Sequence, residues 1–239
     1  MGNQMIFKRK ELKYLLDQRQ KEALLRAMEP YMALDGYGRT TIRNLYFDTD
    51  NFRLVRRSME KPIYKEKLRV RSYRQTRPDV PVFVELKKKY RSVVYKRRLS
   101  LPERQAMECL RKGGALPVSS QIAGEIQYFC EFYQDLRPQV FLAYEREAFY
   151  NLAGGDFRVT FDENILYRRE ALSLGTEVWG TPLLEEGQTL MEIKTVGSIP
   201  LWMTQVLSQE QIFRTSYSKY GSAYQRMICQ GQEGGLLYA

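Results

Sequence analysis

Histidine is absent from the 239-residue chain, and cysteine is scarce. Without histidine, the chain lacks the usual general base, the usual zinc ligand and any Ser-His or Cys-His nucleophile. The three cysteines, Cys109, Cys130 and Cys229, lie far apart and form no CxxC pair, so neither a zinc site nor a disulfide framework is indicated. Any chemistry must therefore rest on other side chains.

Long apolar runs are also missing. No stretch approaches the roughly 20 apolar residues of a membrane span, and the N-terminal segment carries charges of both signs where a signal peptide would be apolar. No repeat, low-complexity tract or Pro/Ser-rich linker divides the sequence, which predicts a single domain over residues 1–239. We expect a soluble, cytoplasmic protein.

Positive charge is what the chain has in excess. Lysine and arginine number 38 against 28 acidic residues, which gives a formal net charge of +10. A surplus of this size indicates an anionic partner: nucleic acid, an anionic membrane surface or a phosphate-rich small molecule. Composition alone does not rank these three classes, but the distribution of the charge does.

Sequence periodicity predicts helices and strands in alternating groups. Apolar spacing and end signals predict helices over Asp17–Met32 (with Asp17 as the N-cap), Pro102–Arg111, Ser119–Leu136, Pro200–Gln211 and Tyr220–Cys229. Alternation with a period of two predicts strands over Phe7–Leu15, Ile63–Tyr73, Val82–Lys89, Val140–Phe149, Asp156–Asp162 and Leu190–Lys194.

One parity of these strands is strongly basic. Its basic members are Arg9, Lys13, Lys65, Lys67, Arg69, Arg71, Lys87, Lys89, Arg146, Arg158 and Lys194, accompanied by the acids Glu11, Glu85, Asp162 and Glu192. A solvated sheet face is the ordinary explanation for a single such strand. Six strands with the same alternation of basic and apolar residues favour a binding site, because like charges that face one another destabilise a sheet unless an anion lies between them. The pattern therefore predicts a basic interior that grips a polyanionic phosphate compound.

The segments that carry this pattern resemble a known family when taken in order: FKRKELKYLL, IRNLYFDTDNFRLVRRSM, YKEKLRVRSY, VFVELKKKY, YEREAF, DFRVTFDENI, LMEIKT and SYSKYGSAY. The chain resembles the VTC domain, the polyphosphate-polymerase domain of the vacuolar transporter chaperone complex, within the triphosphate tunnel metalloenzymes. The resemblance implies an α+β fold, with an eight-stranded antiparallel β-barrel tunnel and helices packed outside. It also implies ATP and inorganic polyphosphate as substrates, Mn²⁺ or Mg²⁺ as cofactor, and a membrane-protein partner for export that would hold the chain at the inner face of a membrane.

The resemblance assigns roles to individual positions. It implies catalytic roles for Lys13, Arg69, Arg71, Lys87, Arg146, Arg158 and Lys219, and metal binding by Glu192. Glu85 is a second metal candidate. Arg9, Glu11, Lys67, Lys89 and Lys194 share the inward parity and are expected to bind or attract substrate, and Asp162 to orient Arg158 or Lys219. Arginines suit bidentate phosphate contacts, and phosphoryl transfer depends on positioning and charge neutralisation, so an enzyme without histidine is reasonable.

Three other functions remain open. The ExExK signature of the wider superfamily reads RKELK here, with Arg9 in place of the first glutamate, which counts against a triphosphatase or cyclase of the same fold without excluding it. A module that binds polyphosphate without turnover is a second alternative. An RNA binder is the third; it is disfavoured because the basic residues follow strand periodicity and no RNP-type aromatic motif is present.

Overall fold

The computed structural model describes residues 10–91, 93–113 and 116–235. Within them lie eleven strands: β1 Lys10–Leu16, β2 Met32–Leu34, β3 Thr40–Asp48, β4 Tyr64–Ser72, β5 Pro81–Tyr90, β6 Val93–Pro102, β7 Arg137–Asn151, β8 Arg158–Arg168, β9 Thr181–Pro182, β10 Thr189–Thr195 and β11 Arg214–Thr215. The helices of the same residues are α1 Gln18–Met28, α2 Arg53–Met59, α3 Glu103–Arg111, α4 Gln121–Tyr133, α5 Leu201–Gln209 and α6 Lys219–Gly235.

A single antiparallel sheet organises the fold, in the order β11-β1-β10-β8-β7-β3-β4-β5-β6, with β2 added to β7 and β9 to β8. Eight strands of seven or more residues make up this path, and β11 adds two residues at one end. The predicted α+β class, with antiparallel strands and outer helices, is confirmed. Among the described residues, no backbone pairing joins β6 to β11, so the ends of the sheet do not close through hydrogen bonds.

The sheet nevertheless curls around on itself. β1 and β5 are six places apart in the strand order, which in a flat sheet would separate them by about 29 Å at roughly 4.8 Å per strand. Yet Lys87 Nζ on β5 donates to Glu11 Oε2 on β1 at 2.7 Å. A lysine side chain cannot span the flat distance, so the strands must enclose a tunnel-like space.

The apolar parity of the strands faces outward, where the helices cover it. On one side Val84 and Leu86 of β5 share a buried cluster with Ile126 and Phe129 of α4. On the other side a second buried cluster joins β8 and β10 to α1 and α5. Because strand side chains alternate, burying the apolar parity beneath helices turns the charged parity toward the enclosed space.

Helix α1 begins at the predicted N-cap. Asp17 Oδ1 accepts from the Gln20 amide at 2.7 Å, and Gln20 Oε1 accepts from the Asp17 amide at 3.1 Å, which completes a capping box. The helix ends at Met28 instead of the predicted Met32, which begins β2.

The other predicted elements are present with adjusted ends. The predicted strand over Asp156–Asp162 begins later and extends to Arg168, and the helix predicted from Tyr220 extends to Gly235. Residues 7–9 of the first predicted strand lie outside the described residues. No helix in the described ranges is long and apolar enough to cross a bilayer.

Candidate functional site

Strand register collects the basic residues on the concave face of the sheet. Directly paired residues of antiparallel strands project to the same side. The pairs Lys13–Glu192, Lys194–Arg158, Arg69–Glu85 and Lys67–Lys87 therefore line one face. This face, together with the first residue of α6, carries the residues Glu11, Lys13, Lys65, Lys67, Arg69, Arg71, Glu85, Lys87, Lys89, Lys96, Arg98, Arg146, Arg158, Asp162, Glu192, Lys194 and Lys219.

Glu192 is the centre of the first charge cluster. Its Oε1 lies 3.3 Å from both Lys13 Nζ and Lys219 Nζ, and its Oε2 lies 3.6 Å from Lys194 Nζ and 3.7 Å from Arg146 Nη2. Burial alone would raise the pKa of this carboxyl, but the charges of Lys219 and Lys13 outweigh burial and hold the pKa well below its usual value. Glu192 is therefore an anion with four cations at 3.3–3.7 Å from its oxygens.

Asp162 shares two of those cations. Arg146 grips it with two parallel bonds, Nε to Oδ1 at 2.5 Å and Nη2 to Oδ2 at 2.6 Å, and Lys219 Nζ donates to Oδ2. Burial acts to raise the pKa of Asp162, and the Arg146 and Lys219 charges lower it by more. The expectation that Asp162 orients Lys219 matches this geometry; its other partner is Arg146, while Arg158 is exposed at the start of β8.

Lys219 depends on these carboxylates for its position. It is the first residue of α6, where the helix dipole disfavours a cation. Burial also lowers its pKa, but the charges of Asp162 and Glu192 raise it above the ordinary lysine value. The pair of carboxylates thus draws the start of α6 into the tunnel.

Glu85 is the centre of a second, tighter cluster. Its Oε2 accepts from Arg69 Nη2 at 2.8 Å and Nε at 2.9 Å, and its Oε1 lies 2.7 Å from both Lys96 Nζ and Arg98 Nε. Burial works to raise the pKa of Glu85, yet the charges of Arg69 and Arg71 hold it far below the ordinary range. Both oxygens are occupied by cations at hydrogen-bond distance. Metal binding by Glu85 stays a prediction, and it would require displacing them.

Tyrosine hydroxyls and an amide fix the two RxR arginines. Arg69 Nη1 donates to Tyr46 OH at 3.0 Å. Arg71 donates to Asn44 Oδ1 at 2.9 Å and to Tyr144 OH at 3.0 Å. These contacts hold the guanidinium groups in place before any ligand arrives.

Lys67 lies opposite Lys87 on the concave face, and no carboxylate among the described residues pairs with it. Its Nζ donates to Ser218 Oγ at 3.0 Å. Burial, reinforced by the nearby charges of Lys13 and Lys87, lowers the pKa of Lys67 to about 7. An anion bound beside Lys67 would raise this pKa again and keep the amino group protonated.

Three predicted residues are placed less firmly. Lys89 lies on the concave face opposite Lys65, and Arg158 lies opposite Lys194, both without an ion pair among the residues that the structure describes. Arg9 lies outside the described residues.

Sequence reasoning missed Lys96 and Arg98. The segment KRR at 96–98 places bases on both parities, so the alternation that marks the other strands is invisible there. Their pairing opposite Lys87 and Glu85 assigns them to the concave face.

The Glu192 cluster offers one carboxylate that could bind a divalent cation together with substrate phosphates. Within the described ranges, no group of three His, Cys, Asp or Glu side chains gathers as a protein cage. Mg²⁺ is commonly held by one or two carboxylates together with substrate phosphates. Glu192 suits that arrangement, because its cations stand at 3.3–3.7 Å, whereas those of Glu85 stand much closer.

Comparison with known proteins supports the fold and identifies the family. No curated protein matches the chain in sequence. A "putative adenylate cyclase" from Bacillus halodurans is 14% identical with a TM-score of 0.54, covering 88% of this chain and 95% of its own. This likeness supports the fold.

Two further solved structures are more distant. A "putative adenylate cyclase" from Vibrio parahaemolyticus is 11% identical (92% of this chain, 99% of its own, TM-score 0.47), and a chain of the Schizosaccharomyces pombe Mediator head module is 12% identical (85% and 90%, TM-score 0.45). Those scores are too low to support an argument. The VTC domain model matches residues 8–228, and the chain therefore belongs to the VTC domain family.

Proposed function

We propose that the chain, as one catalytic domain over 1–239, is a polyphosphate polymerase that transfers the terminal phosphoryl group of ATP to a growing polyphosphate chain. The observation that best supports this proposal is the arrangement of basic residues on the concave face. There, Arg69, Arg71, Arg146 and Lys219 surround two clusters of buried carboxylates. Phosphoryl transfer needs positioned positive charge more than covalent assistance, and this face supplies it.

The residues divide into two working groups in this proposal. Lys13, Arg146 and Lys219 at the Glu192 cluster hold the reacting phosphates, and Glu192 holds Mn²⁺ or Mg²⁺, which supplies charge neutralisation when bound. Arg69, Arg71 and Lys87 grip the phosphates further along the tunnel. Anion binding loosens the Lys87–Glu11 bridge, since Lys87 would exchange one carboxylate for phosphate.

Three further basic residues of the concave face act through their charge. Lys89 and Arg158 have no ion pair among the described residues, and Lys194 lies 3.6 Å from Glu192 Oε2; all three attract the polyanion into the tunnel. Coupling to a membrane-protein partner for export remains a prediction from the family and awaits its own test.

The direct test is product analysis. Purified protein is incubated with ATP and Mn²⁺, with and without a short polyphosphate primer, and the products are separated by chain length. We expect a ladder that is lost in Glu192→Gln and kept in Glu147→Gln, an identical substitution at a carboxylate whose partner is Lys21 of α1. Free phosphate without a ladder would indicate a triphosphatase; tight polyphosphate binding without turnover would indicate a binding module.

A further inference from the structure

A second concentration of positive charge lies on the outer face of the sheet, away from the tunnel. Arg43 of β3 is paired with Ser72 of β4 on one side and Ala143 of β7 on the other. Its parity is opposite to that of Asn44, which contacts Arg71 on the concave face. Arg43 is half-buried, and its Nε is fully buried with no hydrogen-bond acceptor among the residues described. Within the described residues it forms no ion pair.

Arg168 of β8 lies on the same outer face. It is paired with Phe141, two residues from Ala143, and its guanidinium lies 3.6 Å from the centre of the Phe141 ring. It is 4% exposed, and among the described residues its donors reach only neutral oxygens: the carbonyls of Glu170, Ala171 and Trp179 and the hydroxyl of Thr176, at 2.7–3.2 Å. Its charge is therefore hydrogen-bonded but not neutralised.

Neither arginine has a carboxylate to balance it within the ranges that the structure describes. Glu145, which the register places on this face opposite Thr41, is taken by Arg39 Nε at 2.9 Å and by Asn164 Nδ2 at 2.8 Å. Burial lowers the pKa of Arg168, and the charge of Arg43 lowers it further. Two like charges without a counterion, at least one of them deeply buried, destabilise the fold unless an anion joins them.

A buried hydroxyl adjoins this region. Thr76 is 6% exposed, and its Oγ1 has no hydrogen-bond partner in the part of the chain that the structure describes. It lies four residues beyond Ser72, and its amide donates to the Leu174 carbonyl at 3.3 Å in the loop that surrounds Arg168. Gly175 permits the approach, because a Cβ there would stand 3.0 Å from the Thr76 carbonyl oxygen.

We propose that Arg43, Arg168 and Thr76 form an anion site on the outer face of the sheet, which binds a small oxyanion of the phosphate class. Arg43 Nε and Thr76 Oγ1 are buried donors without acceptors among the described residues. Arg168 contributes its positive charge, while its hydrogen bonds to the surrounding loop stay in place. The anion would reach the site from solvent past the exposed part of the Arg43 side chain. The site is separate from the tunnel and independent of the proposed polymerase activity.

The test observes Arg43 itself. Protein labelled with ¹⁵N-arginine is titrated with inorganic phosphate at constant ionic strength, with no polyphosphate present that could occupy the site first. The Arg43 Nε–Hε signal is assigned as the one lost in Arg43→Lys, and the Arg39 signal, lost in Arg39→Lys, is the matched control. We expect a saturable shift of the Arg43 signal with half-saturation on the order of 1 mM, as a few charge-assisted hydrogen bonds would give, and no shift of the Arg39 signal.

Three outcomes would overturn the proposal. The first is an Arg43 signal that does not move up to about 10 mM phosphate, roughly ten times the expected half-saturation. The second is an equal shift when chloride replaces phosphate, which would indicate ionic strength alone. The third is an unchanged phosphate response in Thr76→Val, which would remove the hydroxyl from the site. Because no turnover is measured, failure here leaves the polymerase proposal untouched, and the reverse also holds.

Discussion

Replacing Glu85 by glutamine removes the carboxylate shared by Arg69, Lys96 and Arg98 while it preserves the size of the side chain. Glu85 is 1% exposed, so its loss leaves buried positive charge without compensation. Removing one member of a buried ion pair costs about 3–5 kcal/mol of unfolding free energy. The side chains of Lys96 and Arg98 are 41% and 34% exposed, so water relieves part of that cost and we expect a loss near the lower limit, about 3 kcal/mol.

The assay is urea denaturation of Glu85→Gln across pH. The pKa of Glu85 in the folded protein lies below its unfolded value of about 4.3, so its stabilising contribution is complete above that value and fades as pH falls. The difference from wild type should therefore narrow below about pH 4. Tripolyphosphate should stabilise the variant more than the wild type, since the anion replaces the missing charge.

A matched substitution separates this effect from surface electrostatics. Glu125 of α4 contacts Lys88 and Arg97, each at 3.0 Å, but is 20% exposed on the outside of the molecule. Glu125→Gln should cost about 1 kcal/mol or less. The reasoning is refuted if Glu85→Gln is within about 0.5 kcal/mol of wild type, the range of ordinary surface substitutions.

Three further predictions concern the tunnel and its support. Since the pKa of Lys67 is about 7 and a bound anion raises it, tripolyphosphate binding at about pH 8 should protonate Lys67. Calorimetry in two buffers of different ionisation enthalpy measures the total proton uptake, to which Lys96 also contributes because burial lowers its pKa to about 7; Lys67→Met should reduce the uptake by close to one proton, and an unchanged uptake would contradict the idea. Arg146→Lys keeps the charge but loses the bidentate grip on Asp162, so turnover should fall about 100-fold, with little change in melting temperature; unchanged turnover would contradict a catalytic role. Tyr220→Phe removes the 2.9 Å bond from the hydroxyl to Asp48 and should cost about 1.5 kcal/mol in urea unfolding; a cost below about 0.5 kcal/mol would contradict that value.

Local patterns predicted the faces of the strands well, because alternation depends on neighbouring residues. The apolar parity of Val82, Val84 and Leu86 is fully buried beneath helices, and its basic counterpart lines the concave face. The N-cap at Asp17 was equally predictable, since both residues of its capping box lie within four positions of each other.

Long-range features could not be predicted from local patterns. The Lys87–Glu11 bridge joins residues 76 apart, and nothing near either one indicates the other. Likewise, alternation along each strand predicted that the carboxylates share a face with the basic residues. Which basic residues each carboxylate contacts depends on the register of β1, β8 and β10, which local sequence does not determine.

Helix α2 was missed for a different reason. It has seven residues, and its N-cap Phe52 has a left-handed backbone with φ of 56° and no side-chain cap. Its start is stabilised from elsewhere, because the buried Asp48 of β3 accepts from the amides of Leu54 and Val55 at 2.8 and 3.0 Å. A helix whose cap comes from a preceding strand carries a weak sequence signal.

The most direct test of the central proposal follows the terminal phosphate of ATP. With ATP labelled at the γ-phosphate, Mn²⁺ and a short polyphosphate primer, we predict that most of the label passes into chains longer than the primer, and that Glu192→Gln abolishes this transfer. Label that appears as free phosphate, with the primer unchanged in length, would contradict polymerase activity.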